Sequence, residues 1–114
     1  MSIKTLITKL STEANSVQFA EVIAVIDENY IFTPTEFKNG ELNNEAGQNS
    51  GSCKIFSFAQ LQNLSKEQTL ACFGDYYRVD VVQHPEATDH QNIRNFIKYG
   101  WDGISFKGSA LSPK

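Results

Sequence analysis

The hydrophobic pattern of this chain changes at Tyr30 from a helical period to a strand-like one, and this change constrains the fold most. Before Tyr30, apolar residues recur at i, i+3, i+4 and i+7 in two stripes: Ile3, Leu6, Ile7, Leu10 and Phe19, Val22, Ile23, Ile26. That spacing places apolar side chains on one face of a helix. Residues 31–37 are mostly β-branched or aromatic, which favours a strand. The chain is therefore predicted to combine helices with a sheet.

A small antiparallel sheet is predicted from the turn signals that follow. Pro34 has no N–H for a ladder, so its strand should lie at an edge or contain a bulge. Asn39-Gly40 is typical of a type I′ hairpin turn, with a short return strand at 41–43. Ile104 and Phe106 alternate with polar residues. We expect residues 101–107 to form a closing strand that pairs with residues 32–37.

Three further helices are predicted between the hairpin and the closing strand. One should begin at Ser50 or Ser52, and the longest should run from a capping box at Ser65 to the stop at 84–85. Asp89 should cap the last helix, which ends at Gly100. The expected fold class is α+β, with about five helices packed on a two- or three-stranded antiparallel sheet. The 114 residues should form one domain over residues 1–108, and residues 109–114 should be a flexible tail.

The composition excludes several classes of function. The net charge is −3, the pI is about 5.3, and the ten basic residues are scattered singly, so no patch for nucleic acid or an anionic membrane is expected. No apolar run is long enough to cross a bilayer. Two cysteines without further pairs predict reduced thiols and a cytoplasmic location. Neither a metal site nor a cofactor is expected, since Cys53, Cys72, His84 and His90 lack zinc-finger spacing.

Cys53 is the residue for which catalysis is most worth considering. A thiol in the first turn of a helix has a lowered pKa, because the helix dipole stabilises the thiolate. His90 could act as its base, with Asp89 or Asn92 orienting the imidazole. The alternative is that Cys53 is a small packing residue beside Ile55 and Phe56, and we prefer it because Gly-Ser-Cys is a common string.

Five residues are candidates for binding a ligand or partner. Gln48 and Asn49 lie in the polar loop, Tyr76 and Arg78 lie on the predicted long helix, and Arg94 shares a helical face with His90. An arginine can bind a carboxylate or phosphate through two hydrogen bonds. For Arg78, an ion pair with Asp75 is the simpler explanation.

Taken together, several strings resemble the HopJ type III effector family, in the family's order over nearly the whole chain. They include Phe32-Thr33-Pro34-Thr35, Asn44-Glu45-Ala46-Gly47-Gln48-Asn49, Gly51-Ser52-Cys53-Lys54-Ile55-Phe56, Cys72-Phe73-Gly74-Asp75-Tyr76-Tyr77-Arg78, Asp89-His90-Gln91-Asn92-Ile93-Arg94-Asn95-Phe96 and Gly100-Trp101-Asp102-Gly103-Ile104.

The resemblance implies effector-like proteins of bacteria, and it brings no established enzymatic activity, cofactor or catalytic residue. The expected function is a non-enzymatic interaction or adaptor domain, monomeric, acting on a protein partner or small ligand. The protein would be cytoplasmic or translocated by type III secretion. The alternative is a small thiol- or histidine-dependent enzyme or ligand-binding domain centred on Cys53 and His90.

Overall fold

In the computed structural model, which describes residues 1–114, the chain forms six helices and two small antiparallel sheets. The helices are α1 (Ile3–Thr12), α2 (Phe19–Asn29), α3 (Ser50–Leu61), α4 (Lys66–Ala71), a π-helix (Tyr76–Val81) and α5 (Gln91–Tyr99). The strands are β1 (Tyr30–Phe32), β2 (Phe37–Asn39), β3 (Leu42–Asn44), β4 (Ile104–Phe106) and β5 (Leu111–Pro113). The predicted α+β class is confirmed. None of the helices has the length and apolar character needed to cross a membrane.

The hairpin and the closing strand form one three-stranded sheet in the order β3-β2-β4. Phe37 is paired with Asn44 on one side and with Phe106 on the other. The turn is not the predicted type I′, because Asn39 belongs to β2 and only Gly40 has a positive φ, of 63°. A glycine with positive φ at the first of two turn positions matches a type II′ turn.

The last residues of the chain lie against β1, where the sequence predicted a flexible tail over 109–114. Phe32 is paired with Leu111 and Tyr30 with Pro113. Ala110 and Leu111 are buried. The apolar surface of these two residues and the unpaired edge of β1 explain the docking. The strand was missed because it is three residues long and contains a proline, which is tolerated at its edge position.

The predicted long helix is divided at Gly74. The capping box at Ser65 forms as predicted, with Gln68 donating to the Ser65 hydroxyl at 3.1 Å, but α4 ends at Ala71. Gly74 has φ of 60°, and a Cβ atom there would lie 2.7 Å from the backbone nitrogen of Phe19. The chain thus crosses the start of α2 at a point that has room only for hydrogen. It then continues as the π-helix, in which the Val82 amide donates to the Tyr77 carbonyl.

The core is centred on Phe56, which is fully buried on α3. Its ring lies 5.0 Å from that of Phe96 and 5.5 Å from that of Phe73, centroid to centroid. Trp101 packs on Phe96 at 5.0 Å with its ring nearly perpendicular. Such tilted and edge-to-face pairs add to the stabilisation from apolar burial. The core therefore connects α3, α5 and the segment around Gly74, which carry the residues of the site described below.

We expect Gly74→Ala to destabilise the domain by about 2 kcal/mol or more, because it adds a backbone clash to the strain of a positive φ. The matched control is Gly47→Ala, where φ is 91° and a Cβ atom would meet no atom within 4 Å. Urea unfolding of the two variants measures the difference. Equal losses of stability would show that the close approach to Phe19 contributes nothing.

Candidate functional site

A cleft of about 460 Å³ lies between the first turns of α3 and α5. Five separate stretches of the chain contribute its eleven lining residues: Phe19, Leu42, Asn49, Gly51, Ser52, Phe73, Tyr76, His90, Gln91, Asn92 and Ile93. None of these is an aspartate, glutamate, lysine or arginine. The cleft therefore combines apolar surface with neutral hydrogen-bonding groups.

The N-termini of α3 and α5 have the same unusual geometry. Their N-cap residues, Asn49 and His90, are both in the left-handed region, with φ of 51° and 50°. Neither side chain caps its helix, so the first-turn N–H groups have no side-chain acceptor. Unbonded N–H groups and the helix dipole give such ends a partial positive charge. Asp89 was predicted to cap α5, and this prediction is wrong by one residue because the N-cap is His90. The Asp89 carboxylate is bonded to Arg94 instead.

Aromatic rings form one wall of the cleft. The ring of Tyr76 lies 5.0 Å from that of Phe19 and 5.2 Å from the imidazole of His90. Tyr76 is 45% exposed, which is high for a large aromatic residue in a small domain. Tyr76 lies on the π-helix, so this irregular helix determines the position of the aromatic wall. Irregular helices of this kind are frequent at functional sites.

At the rim of the cleft, His90 is joined to two carboxylates. Its Nε2 atom lies 3.0 Å from Asp80 Oδ2 and 3.8 Å from Asp89 Oδ2. Arg94 donates to Asp89 Oδ1 at 2.6 Å, and this hydrogen bond lowers the pKa of the Asp89 carboxyl. Sequence reasoning paired His90 with Asp89 but missed Asp80, because Asp80 lies ten residues earlier, on the π-helix.

At the base of the cleft, the exposed Asn49 and three buried asparagines are joined by side-chain hydrogen bonds. Asn92 Nδ2 donates to Asn44 Oδ1 at 2.9 Å, and Asn44 Nδ2 donates to Asn92 Oδ1 at 3.1 Å. Asn49 Nδ2 donates to the same Asn44 oxygen at 2.6 Å, and Asn39 Nδ2 donates to the Asn92 carbonyl at 2.7 Å. This asparagine cluster (Asn39, Asn44, Asn49, Asn92) fixes the hairpin to the first turns of both helices.

The predicted binding residues separate into two groups. Asn49 and Tyr76 line the cleft. Arg78 donates to the carbonyls of Ala14 and Val17 at 3.2 and 2.6 Å, so its guanidinium holds the segment before α2.

The other two predicted residues are also held by internal hydrogen bonds. Gln48 accepts a hydrogen bond from the Glu45 amide within its own loop. Arg94 donates to the His84 carbonyl at 3.0 Å as well as to Asp89. For both arginines, backbone carbonyls thus occupy donors that a ligand would need.

Cys53 lacks the surroundings of a nucleophile. It is 1% exposed, its thiol donates to the Thr35 carbonyl with an S–O distance of 3.6 Å, and burial raises its pKa. It is not among the residues that line the cleft. Burial also raises the pKa of Cys72 to about 12. These are the properties of packing thiols rather than reactive ones.

We expect both thiols of the native protein to react with iodoacetamide at neutral pH at least about a hundredfold more slowly than in urea, because alkylation requires opening of the core. Mass spectrometry of timed samples gives the rate at each site. Fast labelling of Cys53 with slow labelling of Cys72 would contradict the assignment of Cys53 to packing.

Comparisons with known proteins agree with the fold and with the family resemblance of the sequence. A family model described as HopJ type III effector protein matches residues 3–111. A solved structure titled as the crystal structure of unknown function protein VPA0580 is 51% identical in sequence, with a TM-score of 0.98. That alignment covers 100% of this chain and 95% of the other. No curated protein matches.

Proposed function

This chain belongs to the HopJ type III effector protein family, and on that premise we propose that it is a non-enzymatic interaction domain that binds a protein partner in the cleft between α3 and α5. The observation that carries the proposal is the convergence of two uncapped helix N-termini and an aromatic wall on one cavity. The cavity offers hydrogen-bond donors at one side and apolar surface at the other.

The chemistry of the cleft suits a peptide segment. First-turn N–H groups can donate to a carbonyl or carboxylate of the partner. The face of Tyr76 can pack on an apolar side chain, and tyrosine is enriched at protein interfaces because it combines apolar area with a hydroxyl. Val79, on the same π-helix, and Val82, just after it, are also exposed apolar residues, by 39% and 53%. These features support binding of a protein segment over binding of a fully polar small molecule.

The preference for binding over thiol catalysis rests on the positions of the candidate groups. Cys53 is buried with a raised pKa, and it is outside the set of cleft residues. His90 does line the cleft, but its Nε2 atom is occupied by Asp80. A nucleophile and its base must lie within hydrogen-bonding distance of each other. The Cys53 thiol is hydrogen-bonded to the Thr35 carbonyl instead of to a base.

A photo-crosslinking residue at Gln91, which lines the cleft and is exposed, would capture the partner in cells of the source bacterium. The purified partner is then titrated against wild type and Tyr76→Ala. We expect Tyr76→Ala to weaken binding at least about tenfold, as truncation of an interface tyrosine commonly does. The matched control is Ile31→Ala, an exposed apolar residue on β1 that is not part of the cleft.

The proposal is refuted if Tyr76→Ala binds the captured partner as tightly as wild type does, or if Ile31→Ala weakens binding by the same factor. Catalytic turnover of the partner by the wild-type protein would also refute a non-enzymatic role. Circular dichroism spectra of both variants confirm that the comparison is made between folded proteins.

We also propose that the protein resides in the cytoplasm of the bacterium that makes it. Residues 3–12 form α1, and Leu6 and Leu10 on this helix are buried in the core. Lys9 of the same helix is paired with Glu21 at 2.8 Å. The N-terminal segment is therefore committed to the folded domain.

A carboxyl-terminal translocation reporter tests this location in a strain with a type III secretion apparatus. We expect the reporter signal in host cells to equal that of a cytoplasmic control protein, because residues 3–12 are part of the folded domain. A signal that depends on the secretion apparatus would assign the protein to the translocated effectors instead.

A further inference from the structure

Asp80, Asp89 and His90 bring three metal-ligating atoms together at the rim of the cleft. We propose that they form a binding site for a divalent transition metal ion of the zinc class. The three atoms all lie within 4.8 Å of one another, and they come from two separate segments, the π-helix and the residues that precede α5. The inference is independent of the protein partner proposed above.

The distances among the three atoms suit a single ion. Ligand atoms held about 2.0–2.1 Å from a tetrahedral ion lie about 3.3 Å apart. The two distances from His90 Nε2, of 3.0 Å to Asp80 Oδ2 and 3.8 Å to Asp89 Oδ2, lie on either side of that value. The two carboxylate oxygens lie within 4.8 Å of each other, so they must approach by at most about 1.5 Å to complete the coordination.

The identity of the ligands selects the class of metal. An imidazole nitrogen with two carboxylate oxygens suits Zn²⁺, Co²⁺ or Ni²⁺, whereas Ca²⁺ and Mg²⁺ prefer sites made only of oxygen. Three protein ligands leave at least one coordination position open. Because His90 also lines the cleft, that position lies beside the cavity and is accessible to a water molecule or an occupant of the cleft.

Arg94 orients Asp89 toward this site. Its guanidinium binds Asp89 Oδ1 at 2.6 Å and its Nε atom binds the Asp89 carbonyl at 2.6 Å, which leaves Oδ2 directed to His90. Such outer hydrogen bonds to a ligating carboxylate are a regular feature of metal sites. With a neutral imidazole, the two carboxylates and Arg94 carry a net charge of −1, so a divalent cation is electrostatically favoured.

The sequence alone argued against a metal site because its cysteines and histidines lack zinc-finger spacing. In the fold, Asp80 supplies a third ligand atom beside Asp89 and His90. Its position depends on the π-helix, whose wider turn cannot be inferred from the hydrophobic pattern.

Calorimetric titration of the chelator-treated protein with Zn²⁺ tests the site. We expect one ion per chain, and affinity reduced at least about tenfold by Asp80→Asn and by His90→Gln, since each removes one ligand. His84→Gln is the matched control, because His84 is the second histidine of the chain, is exposed, and is not part of the cluster. This variant should bind Zn²⁺ as wild type does.

A second measurement needs no variant and covers the case in which a substitution unfolds the domain. Bound Co²⁺ should perturb the amide resonances of Asp80, Asp89 and His90 most strongly, and its spectrum should lack the thiolate charge-transfer band that Cys53 or Cys72 would produce. Absence of Zn²⁺ binding by wild type, unchanged binding by folded Asp80→Asn, or Co²⁺ effects centred elsewhere would each overturn the proposal.

Discussion

The asparagine cluster is the interaction on which the rest of this structure depends. Asn44 and Asn92 exchange two side-chain hydrogen bonds across 48 residues of sequence, and both are buried. Removing one partner from a buried hydrogen bond leaves the other unsatisfied, at about 1–3 kcal/mol. Asn39 Oδ1 is already buried without a hydrogen-bond partner, so the cluster has no unused donor that could replace a lost hydrogen bond. It therefore specifies a single position of the hairpin against α3 and α5, and with it the shape of the cleft.

Much of the fold was predictable because local patterns agree with it. The stripes of α1 and α2, the capping box at Ser65 and the alternation around Ile104 each specify their element within a few residues. The errors arose where contacts between residues distant in sequence determine the secondary structure. Gly74 ends a helix that the hydrophobic stripe would continue, because it must pass the backbone of Phe19. Residues 111–113 form β5 because β1 has an unpaired edge to which they can bond. No local sequence pattern at residues 111–113 indicates this pairing.

The candidate site was less predictable, for a related reason. Asn49 and Tyr76 were identified as polar and aromatic residues without a place in the predicted core, and both line the cleft. Arg78 and Arg94 were also candidates, but backbone carbonyls close to them in space occupy their donors. Sequence shows which groups can bind, whereas only the fold shows which groups are already bound. Asp80 shows the converse, since its position beside His90 depends on a helix with an unusual period.

The assembly of the cleft from five separate stretches of chain has a thermodynamic consequence. The lining residues extend from Phe19 to Ile93, so no short fragment of the protein contains the complete set. An occupant therefore binds only the folded chain, and mass action then raises the free energy of global unfolding by RT ln(1 + [L]/Kd). At a concentration of about 100 times Kd this amounts to about 2.7 kcal/mol, enough to raise the melting temperature of a domain this size by several degrees. The melting temperature of the whole domain is thus itself a detector of occupancy, even for a ligand whose chemistry is unknown.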